Sequence, residues 1–201
     1  MDASESASET TVLVVDDERP LADIFEQWLR DDYEVEVAYD VSTALEALDE
    51  RLDVALLDRR LPDGSGDDVL AEIRSRDLDC RVGLVSAVAP DLDVLDLDYD
   101  LYVEKPVSNR ETLTATVEDL VRWGEYDRVV REYVALRTKH DMLVARFGRT
   151  RLANSDRWDR LLARLGQLRE RLPDDDAALA EADAQRDAQD STAPDADDES
   201  R

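Results

Sequence analysis

One cysteine, one histidine and two lysines are all that this 201-residue chain holds of three chemically versatile residue types. Each scarcity excludes something. The lone Cys80 cannot close an internal disulfide, so nothing in the sequence suggests export. Zinc-ligand spacing, a Walker loop and a helix-turn-helix pattern are all missing. No run of about 18 apolar residues exists, so a membrane span is not expected. Residues 1–10 are acidic and rich in small side chains, without the basic start or apolar core of a signal peptide. These absences predict a soluble, cytoplasmic protein with no membrane partner.

What the chain has in excess is acid. It carries 34 Asp and 17 Glu against 23 Arg and 2 Lys, a net charge of −26. An acidic surface almost free of lysine resembles halophilic proteins, whose surfaces stay hydrated at high salt. A disordered acidic chain is the competing reading, and the regular apolar runs oppose it. The charge falls into three blocks: net −23 over residues 1–119, net +6 over 120–172 and net −9 over 173–201. The expected organisation is a disordered N-terminus at 1–10, an α/β domain at 11–122, a helical domain at 123–173 and an acidic disordered tail at 174–201.

In the first half, four short apolar runs each end in a polar residue. Residues 12–15 lead into Asp16-Asp17-Glu18, 54–57 into Asp58, 82–85 into Ser86, and 101–103 into Glu104-Lys105-Pro106. Continuous apolar runs read as buried parallel strands, and the carboxyl ends of such strands form the ligand crevice of an open α/β sheet. Three carboxylates, a hydroxyl and an ammonium then converge, a set able to hold a divalent cation and accept a phosphoryl group. A further strand is expected at 34–38. Helices are expected at 20–30, at 41–52 with Ser42 as its cap, and at 67–76. Residues 90–100 hold five Asp and predict a short, frayed helix or a loop with a solvated acidic face. Calcium ligation there lacks the turn glycine and terminal Glu of an EF-hand.

The order of acidic pair, strand-end Asp, Leu61-Pro62-Asp63-Gly64 turn, Ser and Lys-Pro resembles the response-regulator receiver domain over about the first 120 residues. The resemblance implies a five-stranded parallel sheet in the flavodoxin-like order 2-1-3-4-5, flanked by helices. It implies phosphotransfer from a histidine kinase to Asp58, with Mg²⁺ held by Asp16, Asp17, Asp58 and the backbone carbonyl of Arg60. In that comparison Lys105 pairs with a phosphoryl oxygen, Pro106 follows a cis peptide, and Ser86 and Tyr102 form the switch. Such a chain catalyses its own phosphorylation and dephosphorylation without being a turnover enzyme. Arg60 departs from the pattern by placing a long cation two residues after the acceptor, able to obstruct water or to pair with Asp63 or Glu18. The same Arg60 stands where a haloacid-dehalogenase phosphatase needs its second acid. Lys105 also stands out among so many arginines, as a compact ammonium where a planar fork would serve less well.

From residue 108 onward the pattern is helical. Helices are expected at 112–124 and 125–147, with a break at Gly148-Arg149-Thr150. A third, capped by Asn154 or Ser155, presents Trp158, Leu161, Leu162, Leu165, Leu168 and Leu172 on one stripe. Four of those leucines fit a coiled-coil-like seam. This half resembles the haloarchaeal HalX-type helical domain. The expected output is dimerisation through the leucine seam or binding of a partner. The alternative is a DNA-binding transcriptional regulator acting through the basic segment, although acids interleave its arginines. His140 is read as an exposed helical residue rather than a phosphotransfer histidine.

Overall fold

Residues 12–15 and 54–57 are apolar on both faces because both faces are covered. In the computed structural model, which describes residues 10–172, five parallel strands lie in the order β2-β1-β3-β4-β5. They are β1 (Thr11–Val15), β2 (Glu34–Ala38), β3 (Leu52–Leu57), β4 (Arg81–Ser86) and β5 (Leu101–Glu104). The helices are α1 (Arg19–Leu29), α2 (Val41–Ala47), α3 (Gly66–Ser75), α4 (Arg110–Gly124), α5 (Arg128–Leu152) and α6 (Asp156–Arg169). The segments 1–10 and 174–201, expected to be disordered, lie outside the described residues apart from Thr10.

Strand residues alternate between two apolar layers. Leu13, Val15, Ala55, Leu57, Val82 and Leu84 pack with α2 and α3. Val12, Val14, Val54, Leu56 and Val85 pack with α1 and α4. Helix α5 joins both layers: Val130 and Val134 belong to the second, Leu143 and Leu152 to the first. It therefore crosses the β5 edge of the sheet and packs against that strand. The helical segment expected at 123–173 shares both cores with the sheet.

Several local expectations are corrected. Helix α2 ends at Ala47 instead of running to 52, because Leu52 already pairs with Thr11 in the sheet. Its cap is Asp40, whose carboxylate accepts from the Thr43 N–H at 2.8 Å, and not Ser42. Ser42 instead donates to Asp63, which also accepts the Val41 N–H at 2.8 Å. Ser155 caps α6. The helical pattern breaks at Gly148, where φ is 70°. The 90–100 segment forms only a 3-10 turn, Leu92–Asp96.

Four of its five aspartates are exposed, as expected, yet four of the five also pair with arginines. Asp93 pairs with Arg59, Asp96 with Arg157, and Asp98 and Asp100 with Arg74. Helices α5 and α6 pack over this turn, where a βαβ crossover would ordinarily place its own helix. The seam leucines are spent in the same way. Leu161, Leu168 and Leu172 are buried within the chain, so they do not form a free dimerisation stripe. His140 is not exposed either: its ring stacks on Trp158 at 4.9 Å between centroids, and its Nδ1 lies 2.7 Å from Asp141.

Candidate functional site

The sheet register brings the strand ends together. Val15 pairs with Leu57, and Ser86 with Glu104. The next residues extend the ladder: the Asp58 N–H donates to Val15 O at 2.8 Å, and the Lys105 N–H donates to Ser86 O at 3.0 Å. Asp16, Asp58, Ser86 and Lys105 thus meet at the carboxyl edge without any long loop to place them.

Asp58 is the hub. Its Oδ1 accepts from Ser86 Oγ at 2.6 Å and from the Arg60 N–H at 3.1 Å. Its Oδ2 accepts from Lys105 Nζ at 2.6 Å. Lys105 also reaches Asp16 Oδ2 at 2.7 Å and lies 3.8 Å from Glu18. Burial pushes the Asp16 carboxyl above its ordinary value, against the pull of Lys105. Burial opposes the Lys105 charge, but its bonds to Asp16 and Asp58 outweigh that and hold it above the ordinary lysine value. The Lys105–Pro106 peptide is cis.

Asp16, Asp17 and Asp58 each offer a carboxylate oxygen, all within 4.8 Å of one another. Asp16 and Asp58 are buried and Asp17 faces solvent. Three hard oxygen donors, one of them open to water, suit a cation that keeps part of its hydration shell, as Mg²⁺ does. One ammonium shared by two buried carboxylates leaves the cluster short of positive charge, which also favours a cation there.

Ser86 Oγ accepts the Val88 N–H at 3.3 Å, and the Val88 carbonyl accepts from the Tyr102 hydroxyl. Tyr102 is half-buried. Gly66 opens α3 directly behind the site, where a Cβ would overlap the Asp58 carbonyl. Ser65 caps that helix, with Asp68 completing a reciprocal capping box.

Arg60 is exposed and forms neither expected ion pair among the described residues. Asp63 is engaged with the start of α2, and Glu18 faces Lys105. The arginine that matters structurally is Arg59, which sequence reasoning missed. Its guanidinium binds Asp67 at 2.9 Å and Asp93 at 2.8 Å, and the Asp67 bond raises its pKa above the ordinary value. Lys139 was missed as well. It is 3% exposed, donates to Leu97 O at 2.7 Å and stands 4.2 Å from the centre of the Tyr99 ring. The rarity of lysine in the chain was the available signal, applied to Lys105 alone.

Comparison with known proteins agrees with this geometry. Residues 12–118 match the family model of the response regulator receiver domain, and residues 122–200 match that of the HalX domain. A Haloferax volcanii protein, provisionally named a transcriptional regulator, is 48% identical over 141 residues, 70% of this chain. The aligned part is 24% of that relative, so the chain spans about a quarter of its length. Among solved structures, a CheY-like receiver domain protein from Methanospirillum hungatei is 26% identical with a TM-score of 0.53, covering 58% of this chain and 97% of its own. The non-phosphorylated HemR receiver domain from Leptospira biflexa is 26% identical with a TM-score of 0.52, covering 56% and 94%.

Proposed function

This chain belongs to the response regulator receiver family, and from that membership we propose that it accepts a phosphoryl group on Asp58 from a histidine kinase. One observation carries the proposal: Lys105 Nζ and Ser86 Oγ each lie 2.6 Å from a different oxygen of the same strand-end carboxylate. Both donors are then within reach of oxygens on a phosphoryl group attached to Asp58. In the transfer, an Asp58 oxygen attacks phosphorus, the bond to the donor imidazole breaks, and the imidazole departs with the electron pair.

Asp16, Asp17, Asp58 and the Arg60 carbonyl are the groups that would hold Mg²⁺. A bound Mg²⁺ offsets repulsion among the carboxylates and shields charge on the transferring group. Lys105 exchanges a carboxylate contact for a phosphoryl oxygen, which keeps its charge satisfied throughout. Ser86 turns toward the same group and draws on the Val88 segment, to which Tyr102 is hydrogen-bonded. Ser86 and Tyr102 therefore form the proposed two-state element.

The proposed output is a contact with protein rather than DNA. Several basic residues of the helical segment are engaged with the chain's own acids: Arg131 with Asp79, Arg146 with Glu104, Arg157 with Asp96 and Arg164 with Glu132. Phosphate contacts need free cations. Among the described residues no helix is long and apolar enough to cross a membrane, and the proposed setting is the cytoplasm.

The test is incubation with acetyl phosphate and Mg²⁺, followed by intact-mass analysis. The wild type is expected to gain one phosphoryl group, and Asp58→Ala none. Omitting Mg²⁺ is expected to slow the gain severely. Phosphorylation persisting in Asp58→Ala overturns the assignment.

A further inference from the structure

A continuous series of contacts leads from the pocket to the helical hairpin. Asp58 Oδ1 binds Ser86 Oγ at 2.6 Å, and Ser86 Oγ accepts the Val88 N–H. The Val88 carbonyl holds the Tyr102 hydroxyl. The Tyr102 ring meets Tyr99 edge-on, 5.9 Å between centroids. The opposite partner of Tyr99 is Lys139 of α5, over its ring at 4.2 Å. Lys139 in turn grips the Leu97 carbonyl at 2.7 Å. Tyr99 is 1% exposed and its hydroxyl has no hydrogen-bond partner among the described residues. Tyr99 is therefore held by its ring faces and edges, not by its polar tip.

We infer that Lys139 is a positioning residue through which the state of the Asp58 pocket sets the docking of α5 and α6 on the β4–β5 side of the sheet. The inference deepens the reading of Asp58 as phosphoacceptor and rests on it. A buried ammonium lying on an aromatic face and on one carbonyl has no room to adjust. When Tyr102 follows the Ser86 segment, its edge contact with Tyr99 changes, and the Tyr99 face moves under Lys139. The Leu97 carbonyl is then the one close contact left to a desolvated charge, with Asp98 and Asp100 acting only at longer range, which is costly. The hairpin loosens as a unit, because α5 and α6 also rest on the 3-10 turn that carries Leu97's neighbours.

The other polar anchors of the hairpin are weaker. Arg157 on Asp96 and Arg146 on Glu104 are exposed ion pairs on the rim, of the kind that contribute little.

The experiment is hydrogen–deuterium exchange on the full chain, before and after acetyl phosphate with Mg²⁺, with intact-mass measurement of the phosphorylated fraction in the same samples. In the wild type, amides of α5 near Lys139 and of residues 92–100 are expected to exchange on the order of tenfold faster once phosphorylated, the scale of a typical coupling between sites. Tyr99→Phe keeps the ring and loses only an unpartnered hydroxyl, so it is expected to respond as the wild type does. Tyr99→Leu and Lys139→Met are expected to show the fast exchange before phosphorylation and no further change after it. A wild type that gains the phosphoryl group with α5 exchange unchanged overturns the inference while leaving the Asp58 reading intact. Tyr99→Leu responding like wild type overturns it too. A wild type that is not phosphorylated overturns the Asp58 reading instead.

Discussion

Among the described residues, the Lys139 ammonium is held by a carbonyl and an aromatic face rather than by a carboxylate. Its surroundings from the other elements are Asp98 and Asp100 beside β5, Arg74 from α3 and the Tyr99 ring. Burial pulls its pKa from 10.5 down to about 8. The folded chain thus releases this proton at lower pH than the unfolded chain, so the group's contribution to stability rises between about pH 8 and 10.5. Cys80 has the opposite sign. Burial pushes its thiol from 9.0 up to about 12, so the unfolded chain loses that proton first and stability falls as pH rises above 9. A difference between variants separates the two. The wild-type stability minus that of Lys139→Met is expected to increase by roughly 3 kcal/mol from pH 7.5 to 10.5 in denaturant melts. A flat difference refutes the burial argument.

At this scale the pocket was legible in the sequence, because Asp16-Asp17, Asp58, Ser86 and Glu104-Lys105 follow four separate apolar runs. Arg59 and Lys139 were not. Arg59 joins Asp67, 8 residues away, to Asp93, 34 residues away, and Lys139 reaches Leu97, 42 residues away; no local pattern announces contacts of the longer spans. Arg60, one residue further on, stays in solvent.

Elements position the site by close approach, and α3 is the clearest case. Its first residue, Gly66, sits so near the Asp58 backbone that any Cβ collides with the Asp58 carbonyl. Gly66→Ala is expected to cost about 1–3 kcal/mol, the usual penalty for overpacking. It should also slow phosphorylation by acetyl phosphate, because the carbonyl that must give way belongs to the acceptor. Gly166→Ala in α6 is the control. Among the described residues nothing lies within 4 Å of a Cβ there, so it should gain about 0.5–1 kcal/mol of helix preference. Equal effects of the two substitutions in urea denaturation defeat the close-approach argument. The elements themselves were mostly legible from periodicity. The exceptions are instructive: α2 stops early because β3 claims Leu52, and the β4–β5 connection forms only a 3-10 turn because its aspartates serve Arg59, Arg74 and Arg157.

For the molecule as a whole, a net charge of −26 means that like charges repel across the surface. Salt screens that repulsion, with a Debye length of about 8 Å at physiological ionic strength and about 3 Å at 1 M. The midpoint of thermal unfolding is therefore expected to rise steadily as KCl goes from about 0.1 M to about 2 M, against the ordinary expectation that salt weakens surface ion pairs. A midpoint that falls over this range shows that the ion pairs outweigh the repulsion. The composition made this scale readable from the start. It could not show that the leucine stripe of α6 turns inward, since an amphipathic stripe does not name its partner.

The helix that crosses the β5 edge has one more consequence. Between β4 and β5 the sheet has no full helix of its own, and α5 with α6 occupies that place. The two halves of the chain are thus not interchangeable parts. A graft that took residues 11–122 to another output module would leave Val94 and Tyr99 without their cover. Any exchange of modules in this chain would have to carry the hairpin along with the sheet it completes.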